Sequence, residues 1–127
     1  MTGSTIRVMI VDDHAIVRKG IRALLSTERD LEIIGEASDG AEAVVQAQAL
    51  RPDVILMDLV MPKLDGIEAT RQIAARQSGT RILVLTSFAA DDKVFPAIKA
   101  GALGYLPRVR RELELPTVLV VHSGLGA

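Results

Sequence analysis

Asp12 and Asp13 close the apolar run Ile6 to Val11, and Asp58 closes a second run, Val54 to Met57. If these runs are neighbouring strands, three carboxylates converge at one end of a sheet. Carboxylates a few ångströms apart repel by on the order of a few kcal/mol at intermediate dielectric, so the arrangement calls for a hard divalent cation, and Mg2+ suits it. Such a site can receive a phosphoryl group: the metal neutralises the incoming oxygens while one carboxylate attacks phosphorus to form an acyl phosphate. Thr86 closes a further run, Ile82 to Leu85, in the same way. A lone aspartate after a strand is more often a turn former or a helix cap. Four polar strand ends in one sheet favour a site instead. Neither His14 nor His122 is read as a metal ligand or a phosphorelay residue.

The elements that must position these groups follow from periodicity. Strand-like runs at Ile6 to Val11, Leu31 to Ala37, Val54 to Met57, Arg81 to Leu85 and Leu103 to Leu106 alternate with amphipathic stretches, which is an α/β pattern. Runs such as Val54 to Met57 are apolar at every position, as expected of parallel strands covered by helices on both faces. The spacing predicts four helical faces: Val17, Ile21, Leu24 and Leu25; Ala41, Val44, Val45 and Gln48; Ile67, Thr70, Ile73 and Ala74; Val94, Phe95 and Ile98. Gly20 and Gly66 are local weaknesses in two of these helices, and the segments around Pro52 and Gly79 read as turns. In an open parallel sheet the binding crevice lies at the carboxyl ends of the strands, where Asp12, Asp13, Asp58 and Thr86 all fall.

With 127 residues, 49% of them hydrophobic, the chain has the size and apolar content of one compact domain. The net charge is −1 and basic residues are dispersed, so no electrostatic footprint for nucleic acid or an anionic membrane is present, and neither is an expected partner. The absence of cysteine excludes disulfides, thiolate metal sites and cysteine nucleophiles. No apolar run approaches the roughly 18 to 20 residues of a membrane span, and Met1 to Thr5 lacks a basic-then-apolar leader, so a cytoplasmic location is the expectation.

The motifs Val11-Asp12-Asp13-His14, Asp53 to Gly66 with Met61-Pro62 and Asp65-Gly66, Leu85-Thr86-Ser87, and Lys99 to Leu106 together resemble the receiver domain of two-component response regulators. Their details are similar to the subfamily whose receivers usually precede a helix-turn-helix DNA-binding domain. The resemblance runs from Ile6 to about Leu106. It implies a doubly wound, flavodoxin-like fold with five parallel strands in the order 2-1-3-4-5. It further implies a histidine kinase as phosphodonor, Asp58 as phospho-acceptor, and Mg2+ held by Asp13, Asp58 and the Val60 backbone carbonyl. Asp12 would act largely through water. Thr86 would hydrogen-bond the phosphoryl oxygen, and Tyr105 would change position when Thr86 moves. A loop after the acceptor, Met61 to Gly66, is where a partner contact would fall.

The chain departs from the pattern after Leu106. The family's lysine lies three residues beyond the aromatic, and that position is Arg108. Arginine is longer, planar and forked, so it does not simply replace a compact ammonium. Pro116, the β-prone run Thr117 to Val121, and Gly124 and Gly126 leave a fifth helix short, altered or missing. The expected organisation is therefore a receiver domain at 1–106 and a divergent segment at 107–127, without a DNA-binding domain. Apolar surface on the first and fourth helices and the sheet would then be partly bare, and a homodimer is expected through that face or through exchange of the tail. The leading reading is a phospho-accepting switch, with no enzymatic activity beyond self-phosphorylation and self-dephosphorylation. The alternative is a receiver-like interaction module not regulated by phosphorylation. A phosphohydrolase is disfavoured, because such enzymes commonly place a second aspartate two residues after the nucleophile, and that position is Val60.

Overall fold

A computed structural model describes residues 5–59, 64–77, 79–86, 94–102 and 104–107, with backbone alone for residues 86, 94, 95, 97 and 104–107. The chain alternates strictly: β1 (Ile6–Val11), α1 (Ala15–Leu25), β2 (Leu31–Ala37), α2 (Gly40–Leu50), β3 (Val54–Asp58), α3 (Gly66–Arg76), β4 (Arg81–Thr86), α4 (Val94–Ala100) and β5 (Gly104–Pro107). The five strands form one sheet in the order β2-β1-β3-β4-β5, every pair parallel. This is the doubly wound arrangement expected from the alternation. The fifth-helix region and the rest of the segment from residue 108 lie outside the described residues.

The apolar strands are explained by two cores, one on each face. Met9, Val11, Ile55, Met57, Ile82 and Val84 point to the side of α2 and α3, where Ala43, Ala47, Ala69 and Ile73 meet them. Val8, Ile10, Val54, Leu56, Leu83 and Leu85 point the other way, and α1 brings Ile21 and Leu25 onto that face. A strand with period-2 alternation thus reads as a continuous apolar run, because both of its faces are inside. β2 is an edge and only half buried; the register slips by one residue between Val8 and Met9, a bulge that bends this edge.

Two of the predicted helix faces need correction. In α2 the buried residues are Gly40, Ala43, Val44 and Ala47, while Val45 is exposed. The stripe is displaced because small alanines let the helix approach the sheet closely, whereas the helix is apolar on so many sides that its periodicity does not single out a face. In α4, Ile98 is exposed rather than inward. The sheet surface expected to be partly bare is covered at Leu83 and Leu85, both buried. The exposed large apolar side chains among the described residues, Ile16, Val45 and Ile98, each sit on a different helix.

Gly66 is a requirement of the packing and not a weakness. A Cβ there would lie 2.2 Å from the Asp58 carbonyl oxygen and 2.7 Å from the Leu59 Cα, so only glycine lets the first turn of α3 close on the end of β3. Asp65 caps that turn by accepting from the Glu68 amide at 2.9 Å, and the Gly66 amide donates to the Leu59 carbonyl at 3.2 Å. Gly20 differs: a Cβ there meets nothing within 4 Å.

A charged cluster ties α1 to the edge strand. Glu36 on β2 accepts from Arg18 Nε at 3.0 Å and from Arg22 Nε at 2.7 Å. Burial pushes the Glu36 carboxyl up, but the hydrogen bonds and charges of Arg22 and Arg18 outweigh it and hold the group below its ordinary value.

Two expectations follow. Gly66→Ala should cost about 2–3 kcal/mol through overpacking against backbone, whereas Gly20→Ala should gain about 0.5–1 kcal/mol from helix propensity. Urea unfolding of both variants checks the pair, and equal effects would refute the close-approach argument. Because the folded value of Glu36 lies below the unfolded one, its contribution is fully present above the ordinary carboxylate value and is lost as pH falls through the folded value. Glu36→Gln should therefore be less stable than wild type by on the order of 1 kcal/mol at neutral pH, with the gap closing in acid. A gap that stays constant with pH would show that the ion pairs are not its source.

Candidate metal and phosphoryl site

The register of the central strands builds the site. Val11 on β1 pairs with Met57 on β3, so the next residues, Asp12 and Asp58, leave the sheet side by side. On the other flank Asp58 pairs with Leu85 on β4, which places Thr86 one residue further along at the same sheet end. Thr86 pairs in turn with Pro107 and Val84 with Tyr105, so Tyr105 stands on β5, adjacent to the strand that carries Thr86. For Thr86 and Tyr105 the described features are the backbone positions. Val60, Met61-Pro62, Arg108 and His122 lie outside the described residues.

The loop after β1 is pinned from several sides. The Asp12 amide donates to the Ala37 carbonyl at 3.1 Å, and Arg18 Nη1 donates to the Asp12 carbonyl at 2.5 Å. Arg18 also pairs with Glu36, so the charged cluster that fastens α1 to β2 reaches the backbone of the acidic loop. The Asp12 side chain, 7% exposed, turns back and accepts from the His14 amide at 2.8 Å. This short Asx-type turn satisfies one carboxylate oxygen and starts α1, whose cap residue is His14.

Asp12, Asp13, His14 and Asp58 each present a ligand atom, and these four atoms all lie within 4.8 Å of one another. Asp13 Oδ1 is buried and has no hydrogen-bond partner. His14 Nδ1 stands 3.1 Å from that oxygen, close enough for an ion pair if protonated but outside hydrogen-bond geometry. A buried carboxylate oxygen without a donor, among two further carboxylates, is what a bound cation would satisfy. The three aspartates identified from the sequence are therefore brought together. His14, read there as uninformative, joins them. Its signal was its place directly after Asp12-Asp13, at a turn that folds the side chain back over the carboxylates.

Comparison with known proteins agrees with this geometry. The family model described as the response regulator receiver domain matches residues 8–119. The transcriptional regulatory protein LiaR of Bacillus subtilis is 56% identical over 118 residues, covering 93% of this chain and 56% of that protein. The response regulator protein VraR of Staphylococcus aureus is 48% identical over 102 residues, covering 80% of this chain and 49% of that protein. The chain thus spans about half the length of these curated relatives. Among solved structures, the signal receiver domain of the response regulator NarL from Mycobacterium tuberculosis superposes with a TM-score of 0.87 at 30% identity, covering 95% of this chain and 98% of that one. Among the described residues no helix is long and apolar enough to cross a membrane. From the strand order to the acidic cluster, and over nearly its whole length, this chain belongs to the response regulator receiver domain family.

Proposed function

We propose that this chain is a phospho-accepting signalling module of the cytoplasm, taking a phosphoryl group from a histidine kinase onto Asp58. The observation that carries the reading is the cluster of three carboxylates with one buried, undonated oxygen on Asp13. Asp13 and Asp58, with the Val60 carbonyl, would hold Mg2+, and Asp12 would contribute largely through water. When bound, the ion supplies charge neutralisation for the phosphoryl oxygens. The reaction itself is a displacement: a carboxylate oxygen of Asp58 attacks phosphorus, the P–N bond to the donor imidazole breaks, and the departing nitrogen keeps the bonding pair. The product is an acyl phosphate with strong acceptor oxygens. Thr86, whose backbone lies at the adjoining strand end, would donate its hydroxyl to them, and Tyr105 on the next strand would respond. Arg108 would stand where the family has lysine, as a cation of different shape. Ile16, 76% exposed on the first turn of α1, is an apolar side chain that a docking kinase would meet beside the pocket.

Treatment of the full chain with a small-molecule phosphodonor and Mg2+ should add one alkali-labile phosphate, located by mass spectrometry on Asp58. Asp58→Asn should abolish it, and Asp13→Asn should slow it by at least about a hundredfold. Uptake that persists in Asp58→Asn defeats the reading. No uptake in wild type favours the interaction module whose binding is independent of phosphate.

Homodimerisation through residues 107–127 belongs to the same proposal, and so does the division into a receiver unit at 1–106 and a divergent segment. The motive is the β-prone run Thr117 to Val121. Sedimentation of the full chain should give a dimer, and a chain ending at Glu112 a monomer. A monomeric full chain, or an equally dimeric truncation, would remove the tail from assembly.

A further inference from the structure

We propose that Arg18 is a positioning residue of the cation site, a brace that fixes the Asp12-Asp13 peptide and thereby holds Asp13 ready for the ion. This rests on the reading of the aspartate cluster as a metal site and adds to it a residue from outside the cluster. Two consecutive residues of β2 grip the backbone of Asp12 from both sides. The Ala37 carbonyl accepts from the Asp12 amide at 3.1 Å, and Glu36 holds Arg18, whose Nη1 donates to the Asp12 carbonyl at 2.5 Å. Glu36 is fixed in turn through its second oxygen, which accepts from Arg22 Nε at 2.7 Å. The carbonyl that Arg18 holds belongs to the peptide leading into Asp13, whose buried Oδ1 has no hydrogen-bond donor. No hydrogen bond holds that oxygen, so its position is inherited from the backbone behind it.

Arginine is unfavourable at this position on two counts. It is the fourth residue of α1, near the positive end of the helix dipole, and it brings a cation to the backbone of a cation site. Glu36 offsets that charge: the pair meets at 3.0 Å, with 18% of the Arg18 side chain and 29% of the Glu36 side chain exposed. Long side chains on a helix lean toward its N-terminus, so the guanidinium reaches back to the loop that precedes α1. Its fork engages a carboxylate through Nε and a carbonyl through Nη1 at once, in a fixed geometry that the ammonium of lysine on its flexible stem does not reproduce. A fastening and a brace differ in sign. If Arg18 only ties α1 to β2, its removal takes a positive charge from beside the site and leaves Glu36 negative, which favours Mg2+. If it braces the Asp12-Asp13 peptide, its removal weakens Mg2+ in spite of the charge lost, because the ion must then order Asp13 itself.

Calorimetric titration of the full chain with Mg2+ reads that sign, each variant being shown to be folded by circular dichroism at the temperature used. Arg18→Met keeps the apolar stem and removes every donor, whereas Arg18→Lys keeps the charge and removes the fork. Both should lower Mg2+ affinity about tenfold. Lys19→Met, which removes an exposed charge from the next residue of α1, should leave it unchanged within about twofold. Unchanged or raised affinity in Arg18→Met would reduce Arg18 to a fastening of α1, and full affinity in Arg18→Lys would show that charge and not the fork is what the site needs. Either result overturns the proposal. If Arg18→Met does not fold, Arg18→Lys decides by the same criterion. Asp13→Asn separates this from the underlying reading. If that variant binds Mg2+ as wild type does, the aspartate cluster is not the metal site and both readings fall; if it weakens binding while the Arg18 variants do not, the brace alone falls.

Discussion

The pairing of Val11 with Met57 is the contact on which the rest of the molecule's chemistry depends. It sets Asp12 and Asp58 beside each other at one level of the sheet, and a slip of one residue would turn every side chain of one strand to the opposite face. That slip is prevented from both sides. Met9, Ile55 and Ile82 are locked in one core and Val8, Leu56 and Leu83 in the other, so a shifted strand would misplace two sets of buried contacts at once. Apolar burial is thus the force that holds mutually repelling carboxylates together.

Around this register the backbone is anchored at both aspartates. At Asp12, Arg18 grips the carbonyl oxygen, and it is itself tied to Glu36 on the edge strand. At Asp58, the first turn of α3 presses against the carbonyl oxygen, where Gly66 alone leaves room. The two strand ends therefore cannot separate without disturbing a helix each. Above this frame stand the side chains of Asp13 and His14, the latter held to Asp12 by its amide at 2.8 Å and its Nδ1 at 3.2 Å. A fixed backbone under clustered carboxylates lowers the reorganisation needed when a charge arrives.

Much of this was legible in the residues. Alternating runs and amphipathic stretches disclosed all five strands, and the first two strands have the predicted limits at Ile6–Val11 and Leu31–Ala37. Three aspartates at strand ends pointed to one crevice because parallel strands bring their carboxyl ends to the same side. The faces of α2 and α4 were harder to read: an apolar residue such as Val45 carries no mark of whether alanines beside it will pack more closely. Gly66 looked like a flaw for a related reason, since the cost of glycine in a helix is local whereas the backbone it must admit comes from β3.

The amino-acid sequence by itself determined the class of fold, the order of its elements and the carboxylates that meet, because these follow from periodicity and from residue type along the chain. Only the tertiary structure decided the distances: that Asp13 Oδ1 is left without a donor, that Arg18 reaches the Asp12 carbonyl, and that His14 Nδ1 stands within 3.2 Å of two aspartate oxygens. The physical reason is that an alternation of apolar residues reports which side of an element is buried. The position of a polar atom is fixed by the turn that carries it and by the neighbours that close around it.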